Sequence, residues 1–240
     1  MTHINHLQVP GTLKSTSKIV LDYILGLRCF IRIAGFQSGK FLASLRLQPS
    51  HAYSSAAFAM WAPKLFQFYS EELGKFYAHY PEIKRNFYNS IFACCTFNFG
   101  PITVCFTHID PGNLAFGWCA ITALGKYNPK LGGHLILWDL HRVIEFPPGS
   151  TILIPSASLR HGNTAIQSGE TRYSFTQYTA GGIFRWVAQG FQNTTKWLNS
   201  LGRKEKDMQG KLAEERWAMG VGLFSKLTTL QLAPNFDPGE

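Results

Sequence analysis

Thr107-His108-Ile109-Asp110 and Arg160-His161-Gly162-Asn163 are the two pieces that decide how residues 107–178 are read. A histidine and an aspartate two apart on an extended segment point their side chains to one face, because strand side chains alternate with period two. His108 and Asp110 can then reach a single metal ion. His161, on the edge of a second apolar segment, completes a set of two imidazoles and one carboxylate. Such a set caps one face of an octahedron and leaves positions open. Arg172 follows after ten intervening residues, and Ser174 lies two further along on the same strand face. A guanidinium fork on a rigid strand suits bidentate capture of a carboxylate, and a neighbouring hydroxyl can add a third hydrogen bond. The sequence therefore supplies a metal site and an acid site. The competing reading of the same residues is a jelly roll whose histidines only hydrogen-bond loop carbonyls.

The surroundings of these pieces are β-like. Short apolar or alternating runs at 91–99, 102–108, 118–124, 134–138, 142–146, 151–154, 159–163 and 171–178 are separated by Gly100-Pro101, Pro111-Gly112, Asn128-Pro129, Gly132-Gly133, Pro147-Pro148-Gly149 and Ser168-Gly169. Runs of this length between turn signals read as strands. About eight of them suit a double-stranded β-helix, the jelly-roll core of cupins. His108 and Asp110 then close the second strand and His161 sits on the seventh, facing each other across the barrel mouth.

The flanks read as helical, which makes the fold class α+β. Residues 1–17 are polar and read as a disordered tail, and 18–33 mix helical spacing with a continuous apolar run that ends near Gly35. The stretch 38–54 holds serines and Pro49 without a steady period and reads as a loop or insertion. Phe58, Trp61, Leu65, Phe68, Tyr69, Leu73, Phe76 and Tyr77 recur at spacings of three and four, predicting one helix from Ser55 to about Tyr80, with Pro63 early in it and Pro81 stopping it. This aromatic stripe is expected to pack on the outer face of the β core. Beyond Val187, Leu212, Trp217, Val221, Phe224 and Leu227 predict a C-terminal helix over 211–227 packed on the barrel, and Arg203-Lys204-Glu205-Lys206 reads as a solvated run able to meet phosphate. The resulting organisation is a 1–17 tail, an 18–89 helical support containing the 38–54 insertion, a 90–187 β core and a 188–240 linker and helix.

Composition narrows the function classes. With 240 residues, 45% of them hydrophobic, the chain can bury a substantial core in one domain. A formal net charge of +9 favours anionic partners, and nucleic acid fits. Cys29, Cys94, Cys95, Cys105 and Cys119 lack metal-binding spacing and read as small core residues of a reducing compartment. The first ten residues lack the apolar run of a signal peptide, and no segment has membrane-spanning length, so an intracellular protein without a membrane partner is expected.

His-x-Asp, a later His, ten residues and then Arg-x-Ser is the pattern of 2-oxoglutarate-dependent dioxygenases. The wording around it narrows the resemblance further. Thr96-Phe97-Asn98-Phe99-Gly100-Pro101, Gly117-Trp118-Cys119-Ala120-Ile121-Thr122-Ala123-Leu124-Gly125, Gly132-Gly133-His134-Leu135-Ile136-Leu137-Trp138-Asp139-Leu140, residues 146–156 and 172–178, then Gly181-Gly182 and Phe184-Arg185-Trp186-Val187 resemble the TET/JBP-like dioxygenases that basidiomycete fungi carry in many copies. The resemblance covers roughly 56–187. It implies Fe(II), 2-oxoglutarate and O2 as reactants and a methylated DNA base as substrate, most typically 5-methylcytosine, with N6-methyladenine or an RNA base as alternatives. It also implies His108, Asp110 and His161 as iron ligands, Arg172 and Ser174 on the 2-oxoglutarate carboxylate, and Asn113 and Tyr178 against a flipped base. A turn asparagine and a core tyrosine are the competing readings of the last two. A nuclear location follows from the substrate, and no obligate protein partner is implied. Two departures stand against the family pattern, the interruption at 38–54 and a short stretch ahead of the barrel. They leave open a third reading, a DNA-binding relic that has lost turnover.

Overall fold

A computed structural model describes residues 48–230. The expected 1–17 tail, the expected 18–33 helix and residues 38–47 of the expected insertion lie outside the described residues. Helix α1 (Gln48–Trp61) is followed at once by α2 (Pro63–His79). Residues 48–54, expected as loop, are therefore helical. Pro49 sits in the first described turn. The single helix expected over 55–80 is two, broken at Ala62, because Pro63 starts α2 at a position where a fixed φ and an absent donor are favourable. The apolar stripe survives the break since both helices turn it to one side, with Phe58, Leu65, Tyr69, Leu73 and Phe76 buried. The backbone N–H of Tyr80 closes the last turn on Phe76 O, and Pro81 follows.

Seven strands make the β core, all pairing antiparallel: β1 (Cys94–Asn98), β2 (Cys119–Lys126), β3 (Leu135–Leu137), β4 (Arg142–Ile144), β5 (Thr151–Ile154), β6 (His161–Asn163) and β7 (Thr171–Tyr178). They form a four-stranded sheet in the order β1-β7-β2-β5 and a three-stranded sheet in the order β4-β3-β6. Cys119 and Ala123 of the larger sheet pack with Leu135 and Leu137 of the smaller one, Phe146, Ile154 and Leu159 in a buried cluster between them. The fold is the expected α+β class with a double-stranded β-helix core. The helices cover the outer side of the larger sheet, where Phe58 touches the rings of Phe66, Tyr69, Phe92 and Trp118 at 5.2–5.9 Å.

The second of the eight expected strands, 102–108, does not join a ladder. It meets β7 at one bridge, Ile102 with Arg172, and β6 at another, His108 with His161. Its alternation is real but faces the other way. Ile102 is 62% exposed and Phe106 87%, while Thr103 and Cys105 turn inward. The segment is a strap from one sheet to the other.

Past β7 the chain returns to helix in α3 (Gly181–Ala188), α4 (Thr194–Ser200) and α5 (Arg203–Gly222). Ile183, Phe184, Trp186 and Val187 of α3 join the helical cluster, so the chain leaves the sheets at Tyr178, ahead of the expected boundary at 187. Helix α5 starts before the expected 211, opening on the exposed run Arg203 to Lys206. Of its expected apolar face, Trp217 and Val221 are about half exposed. Contact with the core runs through Gly220, where a Cβ would collide with the Phe116 ring, and through Phe224, whose ring lies 6.3 Å from that of Trp118. No described helix is long and apolar enough to cross a membrane.

Phe58→Ala removes a fully buried ring at the centre of the helical layer, and the expected loss is about 3–5 kcal/mol of unfolding free energy. Val143→Ala, at a side chain that is 65% exposed, is expected to leave the urea midpoint nearly unchanged.

Candidate metal and dicarboxylate site

The strap and β6 are tied by two reciprocal backbone bonds, His108 N–H to His161 O at 3.0 Å and His161 N–H to His108 O at 2.9 Å. Directly paired residues on neighbouring strands lie close together. The two imidazoles accordingly stand with centroids 4.3 Å apart and planes at 49°. Asp110 is placed by its own N–H donating to Ser156 O at 2.9 Å. Its Oδ1 lies 3.7 Å from His108 Nε2 and its Oδ2 3.9 Å from His161 Nε2. These gaps are too long for hydrogen bonds. Two ligands on bonds of ~2.1 Å to one ion can stand up to about 4.2 Å apart, so both distances suit a shared metal. All three ligand atoms lie within 4.8 Å of one another, and no other such group of three occurs among the described residues.

Each ring turns its Nδ1 to a backbone carbonyl. His108 Nδ1 is 2.7 Å from Phe106 O, and His161 Nδ1 is 2.8 Å from Leu159 O. A carbonyl can only accept, so the neutral tautomer these contacts select carries its proton on Nδ1 and keeps the Nε2 lone pair for a metal. Burial pushes the His161 imidazolium below the ordinary histidine value, against the opposing pull of the Leu159 carbonyl and the Asp110 carboxylate, with His108 adding to the lowering. The ring is therefore held in the neutral form that binds metals. Two thiols nearby are unsuited to that role. Burial pushes Cys119 up to about 12, and burial also raises Cys105, which the Arg172 charge only partly offsets.

A cavity of about 680 Å³ opens between the sheets on this triad. Its wall on β7 is one strand face, Arg172, Ser174, Thr176 and Tyr178, as period two requires. Arg172 is 2% exposed. Its Nη1 donates to Thr103 O at 3.1 Å, while Nε is buried without any hydrogen-bond partner. A buried cation with an unmet donor beside a cavity is what an anionic ligand would satisfy. Ser174 Oγ accepts 2.8 Å from Asn98 Nδ2, which leaves the hydroxyl proton free to donate. The residues thus fit both a divalent metal and a carboxylate.

Asn113 and Tyr178 line the same cavity. The Asn113 amide donates to Ser156 Oγ at 3.0 Å and approaches Asp110 Oδ2 at 3.5 Å, so it braces the metal-facing carboxylate. Tyr178 is half-buried and also packs against the clusters on both sides of the larger sheet. Sequence reasoning missed Thr96 and Asn98 on β1, which face the cavity opposite Thr176 and Ser174. The alternation in Thr96-Phe97-Asn98 carried that signal. It also missed Asn163, two after His161 on the same face of β6.

No protein-family model matches the chain, and no curated protein matches it. Among solved structures it is similar to NgTET1 in complex with 5mC DNA, at 15% identity and a TM-score of 0.43, over 60% of this chain and 52% of that one. It is also similar to a viral collagen prolyl hydroxylase from Paramecium Bursaria Chlorella virus-1 in its 2OG complex, at 14% identity and a TM-score of 0.26, over 45% of this chain and 68% of that one. The chain spans about half the length of the NgTET1 structure it matches.

The wild-type protein is expected to take up one Co(II) per chain, read from its visible absorption. Asp110→Ala and His161→Ala should each abolish that band, and Asn113→Ala should weaken Co(II) binding by roughly 10-fold or more without abolishing it.

Proposed function

We propose that the chain is an Fe(II)- and 2-oxoglutarate-dependent dioxygenase of the TET/JBP-like kind that oxidises the methyl group of a modified DNA base, 5-methylcytosine first among candidates. One observation carries this reading. The triad with its two free Nε2 lone pairs and the buried, incompletely bonded Arg172 share a single cavity.

When bound, Fe(II) and 2-oxoglutarate supply the oxidising chemistry, with O2 as the third reactant. The work of the protein is to hold and aim. His108, Asp110 and His161 would hold the ion, a donor set of the kind that leaves room for a cosubstrate. Arg172 takes the far carboxylate of 2-oxoglutarate through its fork, and the Ser174 hydroxyl, oriented by Asn98, donates beside it. Ile121 and Leu135 give the cavity apolar walls that help to exclude water.

Room for a base beside the cosubstrate is consistent with ligand cavities of about 300–1,000 Å³. A methyl group inside stacked DNA would not reach an ion held in the cavity, so the base would be extruded into it, where the lining residues Tyr178, for stacking, and Thr96 and Thr176, for its edge, are the candidates to meet it. The net charge of +9 favours the phosphate backbone. Such a substrate places the protein in the nucleus, and the fungal resemblance in its sequence is part of this proposal.

Incubation with Fe(II), 2-oxoglutarate and methylated duplex DNA should release succinate and convert 5-methylcytosine to 5-hydroxymethylcytosine, measured by nucleoside mass spectrometry. His108→Ala should lower both by at least about 100-fold. Oxidised N6-methyladenine or an oxidised RNA base in place of the cytosine product would redirect the substrate. Absence of succinate with every substrate would end the enzymatic reading.

A further inference from the structure

Asn163 does not belong to the metal triad, and it does not hold the carboxylate. It is 7% exposed, and both its amide N–H groups and its oxygen have partners. Oδ1 accepts from Cys105 N–H at 2.9 Å, while Nδ2 donates to Thr103 O at 3.3 Å and to Thr164 O at 2.8 Å. One amide therefore grips the strap on both sides of Val104. The Asn163 backbone N–H adds a bond to Cys105 O at 3.0 Å.

What the strap carries makes this grip consequential. Toward one end, the Thr103 carbonyl that Asn163 holds also receives Arg172 Nη1 at 3.1 Å. Thr103 N–H donates to Arg172 O at 3.1 Å, and Arg172 N–H to Pro101 O at 2.8 Å. Toward the other end, Phe106 O receives His108 Nδ1, and His108 pairs with His161. The carboxylate-binding guanidinium and the metal-binding imidazole are thus oriented by two carbonyls of one short segment, clamped between them by Asn163. The clamp has no room to slide sideways. A Cβ on Gly162 would meet Cys105 O at 2.7 Å and Phe106 O at 3.1 Å, so strap and β6 are already at closest approach.

We propose that Asn163 is a positioning residue that couples the two halves of the site, so that a dicarboxylate seated on Arg172 tightens metal binding at His108, Asp110 and His161, and metal tightens the dicarboxylate by the same factor. Reciprocity is required of any such coupling between binding equilibria. Its carrier here is a contiguous hydrogen-bonded path rather than mere proximity. The inference rests on the proposed use of the site for a metal and 2-oxoglutarate.

The test uses Mn(II), followed by electron paramagnetic resonance of the free ion, and glutarate, which lacks the 2-oxo group that chelates and is followed by calorimetry. Asn163→Ala is expected to weaken Mn(II) binding without glutarate by roughly 10-fold, to weaken glutarate binding to the metal-free protein comparably, and to bring the glutarate effect on Mn(II) affinity toward a factor of one. Arg172→Lys should weaken glutarate alone. Asn163→Asp keeps the oxygen for Cys105 N–H and loses both donors, so it should retain Mn(II) affinity while loosening glutarate. A merely structural asparagine would shift the melting temperature without this division between the ends. Wild-type behaviour of Asn163→Ala at either end overturns the coupling while leaving the proposed function standing. If that variant does not fold, unchanged glutarate affinity in Asn163→Asp overturns it instead. A wild-type protein that binds neither probe removes both inferences together.

Discussion

The paired backbone bonds between His108 and His161 are the constraint on which the rest of the site depends. Each is worth only about 0.5–1.5 kcal/mol net. Their value lies in placement. They fix two residues from opposite ends of the β core side by side, and each ring then folds back onto the carbonyl two residues before it, Phe106 O in one case and Leu159 O in the other. The same local device is used twice, and it gives both rings the same tautomer. With both Nε2 atoms bare and Asp110 hung from Ser156, three donors converge on one point.

Strand β7 ties this point to the stability of the molecule. One of its faces is the cavity wall, where Arg172, Ser174 and Thr176 stand in line. The other carries Phe175, whose ring lies 4.7 Å from Phe97 beneath the larger sheet. β7 pairs with β2 over Thr171–Gln177 on one side and with β1 over Ser174–Tyr178 on the other, and at Arg172 the strap takes the place of β1, so the guanidinium is mounted on a strand bonded on both sides. The helical layer then backs the sheet from outside through Phe58 and Tyr69, whose phenol burial pushes far above its ordinary value. Rigid support of this kind is what positions catalytic or binding groups accurately.

Most of the donor set could be read from the sequence because it is local in pattern. His108 and Asp110 are two apart, Arg172 and Ser174 are two apart, and period two is enough to place each pair on a face. The strap was misread for a related reason. Ile102, Val104 and Phe106 alternate as a half-buried strand should, but alternation does not say which face is buried, and here the apolar one is exposed. The break at Ala62 was hidden because two consecutive helices share one apolar side. In α5 itself Trp217 and Val221 drew the prediction, whereas the helix touches the core at Gly220, which a hydrophobicity pattern cannot mark, and of the expected set Phe224, just beyond the helix, packs on Trp118. Asn163 was illegible because its partners, Thr103 and Cys105, lie some sixty positions away.

Two buried polar atoms in the described residues lack partners, and both belong to β7: Arg172 Nε on the cavity face and Gln177 Oε1 on the opposite face. They are not equivalent. An unmet amide oxygen costs about 1–3 kcal/mol, which a fold of this size can carry. An unmet donor on a buried cation costs more, because the charge itself has been taken out of water, and arginine cannot escape by losing its proton. The Thr103 carbonyl supplies part of the compensation, and the guanidinium in turn offsets part of what burial does to the Tyr127 phenol. What is left over is a positive charge facing a solvent-accessible cavity between two sheets. An anion with the geometry of a carboxylate would answer that unmet donor. The proposed acid half of the site is therefore a consequence of how β7 is buried, and the candidate metal triad is joined to that strand through the strap.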